Sequence, residues 1–208
     1  MTAVNPNVAY DATGAGSHAS ATSLSWTHVI GSTANAILVA ASAQNTSSSV
    51  TASATAGGTS MTLLEALTFY NLSTFSYYRL YVWGLLNPPN GSQAVTITMS
   101  ASSALAANSV SYIGVGSFGT VATNAASSAT ASLSVPAATG DIVFCALASV
   151  AENSSFSSFN QTSRWNQAGV NNTCLATVIG DAPGASTVSF SASQASTYFG
   201  AVGVPLIP

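Results

Sequence analysis

Few side chains in this sequence can perform acid–base, metal or nucleophilic chemistry. The chain holds two histidines (His18 and His28), five acids (Asp11, Glu65, Asp141, Glu152 and Asp181), two arginines (Arg79 and Arg164), no lysine, and two cysteines (Cys145 and Cys174). A zinc centre takes three or four ligands with partners that orient the rings, and the two histidines with a distant Asp11 bring no third ligand nearby. No metal and no cofactor are therefore expected. A Ser–His–Asp triad can be drawn on paper from so many serines, but Gly114-Val115-Gly116-Ser117-Phe118-Gly119 does not match the Gly-x-Ser-x-Gly elbow. Asp11-Ala12-Thr13-Gly14-Ala15-Gly16-Ser17 is glycine-rich, yet no lysine follows it, so it is not a phosphate loop. Cys145 and Cys174 sit in apolar segments and read as small buried hydrophobes or one bridge, with nothing beside them to lower a thiol pKa.

The charge count excludes further classes. Charged residues make up 3% of 208 residues and the net charge is −3, where soluble domains carry about 25% charged residues. Two arginines cannot displace the counterions of a nucleic acid or anchor a basic patch on a membrane. Hydrophobic residues at 48% exclude a disordered chain. Apolar runs such as Ala36–Ala41 and Ile142–Ala148 are far short of the ~20 residues of a membrane helix. The start, Met1-Thr2-Ala3-Val4-Asn5-Pro6-Asn7, has no basic or apolar stretch and does not read as a signal peptide. A Ser/Thr/Asn/Gly-rich surface on a chain made in a cytoplasm fits a protein that leaves the cell inside a virus particle.

The densest aromatic segment runs from Phe69 to Trp83 and includes Tyr70, Phe75, Tyr77, Tyr78 and Tyr81. As a strand it places Tyr77, Arg79, Tyr81 and Trp83 on one face and Tyr78, Leu80 and Val82 on the other. The first four are the candidate site. Three readings are open: ordinary core packing, a contact with another subunit, or an aromatic platform for sugar rings.

The elements that position these residues read as strands. Glu, Lys, Arg and Gln are scarce, while Val, Ile, Thr, Tyr and Phe fill short runs. Val95, Ile97 and Met99 alternate with polar residues, as do Leu133 and Val135, and Val188 and Phe190. The continuous runs Ile37-Leu38-Val39 and Ile142-Val143-Phe144 predict strands covered on both faces. Turns fall at Ala56-Gly57-Gly58, Asn87-Pro88-Pro89-Asn90-Gly91, Thr139-Gly140-Asp141 and Asp181-Ala182-Pro183-Gly184. The order repeats. Leu24-Ser25-Trp26, Ile37-Leu38-Val39, Asn87-Pro88-Pro89, Val95–Thr98 and Ser111–Val115 answer to Leu133-Ser134-Val135, Ile142-Val143-Phe144, Asp181-Ala182-Pro183, Val188–Ser191 and Gly200–Val204. The expected fold is all-β, an antiparallel jelly-roll-like β-sandwich built from two similar halves, 22–116 and 128–208. It forms a single domain over 1–208, with an N-terminal arm over 1–20 and a join over Ser117–Ser128.

Tyr10-Asp11-Ala12-Thr13-Gly14-Ala15-Gly16, then Ser25-Trp26-Thr27-His28, the Ile37-Leu38-Val39 run, Gly57-Gly58-Thr59-Ser60-Met61-Thr62 and Asn87-Pro88-Pro89-Asn90-Gly91 resemble a domain of minor tail and head-accessory proteins of tailed phages of actinobacteria. The resemblance implies a non-enzymatic virion structural protein on the outside of the particle. Its partners would be capsid or tail subunits and further copies of itself, with no nucleic acid and no membrane. The alternative is a carbohydrate-binding or host-surface-binding module, whose partner would be a cell-surface glycan.

Overall fold

The computed structural model describes residues 7–45, 47–72, 76–151, 153–170 and 173–208. Fourteen strands are formed among them: β1 (Ala9–Thr13), β2 (Ser17–Ile30), β3 (Ala34–Asn45), β4 (Ala52–Ala56), β5 (Thr59–Ser60), β6 (Thr62–Leu72), β7 (Ser76–Leu86), β8 (Gly91–Ile113), β9 (Ser117–Phe118), β10 (Ala122–Val135), β11 (Ile142–Ser149), β12 (Thr162–Gln167), β13 (Ala176–Pro183) and β14 (Val188–Ile207). Among the described residues no helix is long and apolar enough to cross a membrane.

The fold is all-β with two antiparallel sheets. The first runs β5-β4-β8-β3-β7-β6, with β1 and β2 also paired to β8. The second runs β10-β14-β11-β13-β12, with β9 paired to β14. Each sheet is made from one continuous stretch of chain, β1–β8 and then β9–β14, so the described chain passes between sheets once. Within the first sheet, short connections such as Ile30 to Ala34 and Leu86 to Gly91 join strands that are not hydrogen-bonded neighbours, β2 to β3 and β7 to β8. Residues Met1–Pro6 of the expected N-terminal arm lie outside the described residues. The rest of that arm is sheet: Ala9–Thr13 pairs with Val110–Ile113, and Ser17–Ala21 pairs with Ser103–Ala107. The expected join, Ser117–Ser128, is likewise strand, divided between β9 and β10.

Both sheets fold over on themselves at a bulged corner. Ala21 faces Ser103 but Ser23 faces Thr98, so residues 99–102 of β8 bow out opposite Thr22. Ser128 faces Thr197 but Thr130 faces Ser193, so residues 194–196 of β14 bow out opposite Ala129. Bulges bend a strand and raise its twist. Each sheet consequently encloses a core of its own. The first gathers Leu24, Trp26, Ile37, Val39, Val95 and Ile97; the second gathers Leu133, Val135, Val143, Leu147, Val188 and Phe190.

A third core lies between the sheets, where Leu38, Leu80, Val82 and Tyr112 meet Phe144, Ile179, Val202 and Val204. This explains the continuous apolar runs. Ile37 and Val39 face the first sheet's own core while Leu38 faces the other sheet, and all three are fully buried. Two glycines let aromatic rings of the opposite sheet approach the backbone. A Cβ at Gly84 would lie 2.6 Å from Phe118 Cε2, and one at Gly200 would lie 2.5 Å from Phe69 Cδ1. Ser42 Oγ and Thr177 Oγ1, both fully buried, hydrogen-bond across the same seam at 2.6 Å.

Candidate functional site

β7 is an interior strand between β3 and β6, so both of its edges are paired, and its residues from Leu80 to Gly84 are buried. Tyr81 and Trp83 are 3% and 1% exposed and stack on each other at 5.4 Å inside the first sheet's core. Rings this deeply buried offer little face to a sugar or to a subunit; of the four candidates, Tyr77 and Arg79 are the more accessible. Arg79 is half-buried and acts as a clamp. Its Nη1 donates to Val50 O (2.9 Å) and to the Tyr81 hydroxyl (3.2 Å), Nη2 to Ser48 O (2.7 Å) and Nε to Thr68 Oγ1 (3.2 Å). Tyr77 lies against it, with the guanidinium carbon 5.7 Å from the ring centre. Arg79 thus fastens the turn before β4 onto β7. Beside it an open groove of about 410 Å³ is lined by Val50, Ala52, Leu63, Thr68, Arg79 and Tyr81. Phe75 lies outside the described residues.

The accessible aromatic surface is elsewhere. Tyr198 of β14 is 41% exposed and stacks on Tyr70 of β6 at 4.0 Å, and Tyr70 leans on Tyr78 at 5.3 Å. No local pattern announces this pair, because Tyr70 and Tyr198 belong to different halves of the chain.

The residues with chemistry are assembled into two buried polar clusters. In the first, the Trp26 indole N–H donates to Ser109 Oγ (2.9 Å), which lies 2.7 Å from His28 Nδ1. His28 Nε2 lies 2.9 Å from Ser111 Oγ, and Ser111 donates to Asp11 Oδ2 (2.6 Å). Asp11 also accepts from the Gly31 amide (3.0 Å). The pattern is consistent in one direction only: Ser111 directs its proton at Asp11 and so accepts from Nε2–H, which leaves Nδ1 to accept from Ser109. A neutral His28 completes the chain. Burial pushes its pKa down to about 4, against the pull of the Asp11 charge. The members resemble a triad, but a serine stands between acid and imidazole, and His28, Ser109 and Ser111 are all fully buried. The cluster cannot reach a substrate; it ties β1, β2 and β8 together. Gly14 gives it room, since a Cβ there would lie 2.5 Å from Ser109 Oγ and 2.9 Å from Trp26 Nε1.

The second cluster bridges the sheets. Arg164 of β12 grips Asp181 of β13, and Tyr112 of β8 donates to the same carboxylate (3.0 Å). The guanidinium carbon sits 3.6 Å from the centre of the Tyr10 ring of β1. Burial, then the charge and hydrogen bond of Asp181, hold the Tyr112 phenol well above its ordinary pKa.

Among the described residues no three His, Cys, Asp or Glu side chains gather as a metal site. Cys145 and Cys174 are both buried free thiols, and burial raises the pKa of each. No protein-family model, no curated protein and no solved structure matches this chain.

Proposed function

We propose that this chain is a non-enzymatic structural protein on the outside of a phage particle, decorating the head or serving as a tail accessory. It would be made in the host cytoplasm and would join capsid or tail subunits, and further copies of itself, through apolar and hydrogen-bonded contacts. The reading starts from the motifs of the first half. It also takes the chain as two similar halves, which is supported by the shared strand order: β2-β8-β3-β7-β6 in one sheet and β10-β14-β11-β13-β12 in the other.

The observation that carries the assembly reading is the outer edge of β10. Native proteins guard sheet edges with bulges, charges, proline or short length. The β6 edge has two bulges and Glu65. The β12 edge is six residues long with a bulge and Arg164. Among the described residues the β10 edge has fourteen residues, pairs only with β14, and carries no charge and no proline; its one guard is the bulge between Ser128 and Thr130, which divides it into two straight stretches. Its exposed side chains, including Thr123, Ala125 and Ser127, are small and uncharged. Such an edge accepts a further strand by main-chain hydrogen bonds. In a contact between identical copies it brings no like charges together.

Purified particles test this. The chain is expected among their proteins by mass spectrometry and is expected to stay attached in molar salt, because salt screens exposed ion pairs and leaves apolar and main-chain contacts intact. Absence from particles, or release by salt, overturns the reading.

A further inference from the structure

We infer that the groove where the two ends of β10 meet receives the ammonium group of a lysine from a different protein. An opening of about 390 Å³ lies there, walled by Val121, Ala122, Pro136, Ala137, Pro205 and Ile207. Gly119 and Thr120 complete it, and Asp141 is its only charged residue. Ala122 opens β10 and Pro136 follows its last residue, so the fold-over at the bulge between Ser128 and Thr130 brings both ends of the strand to one place. The groove thus adjoins the edge proposed for assembly, and the inference deepens that reading by naming what a partner inserts.

The second observation is the state of Asp141, which is 8% exposed. Its amide donates to Ala138 O (3.2 Å), its carbonyl accepts from the Gly184 amide (2.9 Å), and its Oδ2 accepts from the Ala138 amide (2.8 Å). Oδ1 alone has no hydrogen-bond or ion-pair partner among the described residues, and it is not sealed from water. A nearly buried carboxylate without a counter-charge is uncommon, and an oxygen left open in an apolar groove favours a cation on an apolar stem. One free oxygen suits an ammonium, a point charge, better than a guanidinium, whose fork takes both oxygens. The aliphatic stem of a lysine can lie along Val121, Pro136 and Ile207, the last 38% exposed. No side chain of a second copy supplies the cation. The sequence has no lysine, Arg79 is spent on Ser48 O, Val50 O and Thr68 Oγ1, and Arg164 is spent on Asp181. In a particle the lysine would belong to a capsid or tail subunit. A single pair inside an apolar groove is screened little, so attachment in molar salt is still expected.

The test is an amide NMR titration of the full chain with a capped lysine, N-acetyl-lysine N-methylamide, up to about 50 mM, above the millimolar affinity expected of one pair and one stem. Saturating shifts are expected at Val121, Ala122, Ala137 and Asp141. Capped norleucine, which keeps the stem and lacks the ammonium, and capped arginine should each bind at least about tenfold more weakly. Asp141→Asn keeps an acceptor for the Ala138 amide and removes the charge, and Thr120→Trp fills the exposed rim. Each should weaken the lysine probe by a similar factor. If Asp141→Asn fails to fold, Thr120→Trp and the norleucine comparison carry the test. No saturation by capped lysine, equal binding of capped norleucine, or unchanged binding in either folded variant overturns the site. Capped arginine binding as tightly overturns the choice of lysine. These outcomes stand apart from the particle reading, which fails on absence of the chain from particles whether or not the probe binds.

Discussion

Arg164 and Asp181 meet as a two-pronged pair, with Nε 2.9 Å from Oδ2 and Nη2 3.0 Å from Oδ1. Both residues belong to the second sheet, yet the groups that complete the pair, Tyr112 and Tyr10, come from the first. The pair is therefore a seam between the sheets as well as a bond within one.

Breaking the pair from the arginine side leaves a carboxylate that is almost fully buried with one phenol for company. Arg164→Met should cost about 3–5 kcal/mol of stability. Arg164→Lys should recover little of it, because an ammonium cannot make the parallel fork. Tyr112→Phe should cost about 1–3 kcal/mol, the range for a hydrogen bond to a charged group. Urea unfolding of the three variants checks the ranking.

Acid should weaken the protein through His28. The unfolded imidazole takes up a proton near pH 6.5, and the folded one holds out until about pH 4. Stability is complete above pH 6.5, falls as the pH drops between these values, and loses on the order of 3 kcal/mol by pH 4. Urea midpoints measured across this range should show the slope. A folded His28→Gln variant should lack the histidine part of it and keep only what the carboxylates contribute.

Trp83→Ala should remove about 3–5 kcal/mol, the cost of emptying an aromatic site in a close-packed core. A platform residue would leave stability unchanged and lose only a ligand, so thermal unfolding and binding measured on one sample separate the two roles.

Gly14→Ala should destabilise by about 1–3 kcal/mol, since its methyl group lies 2.5 Å from Ser109 Oγ and would push the His28 chain apart. Gly58→Ala is a useful contrast. Nothing lies within 4 Å of a Cβ there, so only the positive φ of 79° resists it. Chemical denaturation should rank Gly14 as the more sensitive position.

Lysines placed on the β10 edge test assembly without touching the core. Ala125→Lys with Ser127→Lys should change stability by no more than about 0.5 kcal/mol per site, because both side chains are exposed. Self-association seen by sedimentation, or retention on particles, should be lost.

Much of the strand content is legible in the sequence because period-two alternation is a local signal. Val95, Ile97 and Met99 do share one buried face, and the runs at Ile37–Val39 and Ile142–Phe144 do mark strands covered on both sides. Residue-level matching between the halves is less legible. The repeat sets Leu38 against Val143, but Leu38 lies in the core between the sheets together with Phe144, while Val143 lies in the second sheet's own core. A slip of one residue turns a strand over, and composition alone does not fix it. The site is the least legible part. Alternation puts Tyr81 and Trp83 on a common face but cannot say what covers that face; curling of the sheet does. By local pattern the segment Tyr10–Gly16 is an arm with a spurious glycine loop. Its Asp11 and Gly14 gain their meaning only from Ser109 and Ser111, which lie about a hundred residues away in sequence.

The single passage of the chain from one sheet to the other sets an order of events during synthesis. Every strand of the first sheet has been made once Ile113 leaves the ribosome, so its own core can close at that point. The opposite face, with Leu38, Leu80, Val82 and Tyr112, has no cover until β11, β13 and β14 emerge. The nascent protein thus passes the translation time of its second half as a folded sheet with one sticky side. Folding yield should then depend on how promptly the remaining chain arrives, and a pause in the second half would favour clumping over completion.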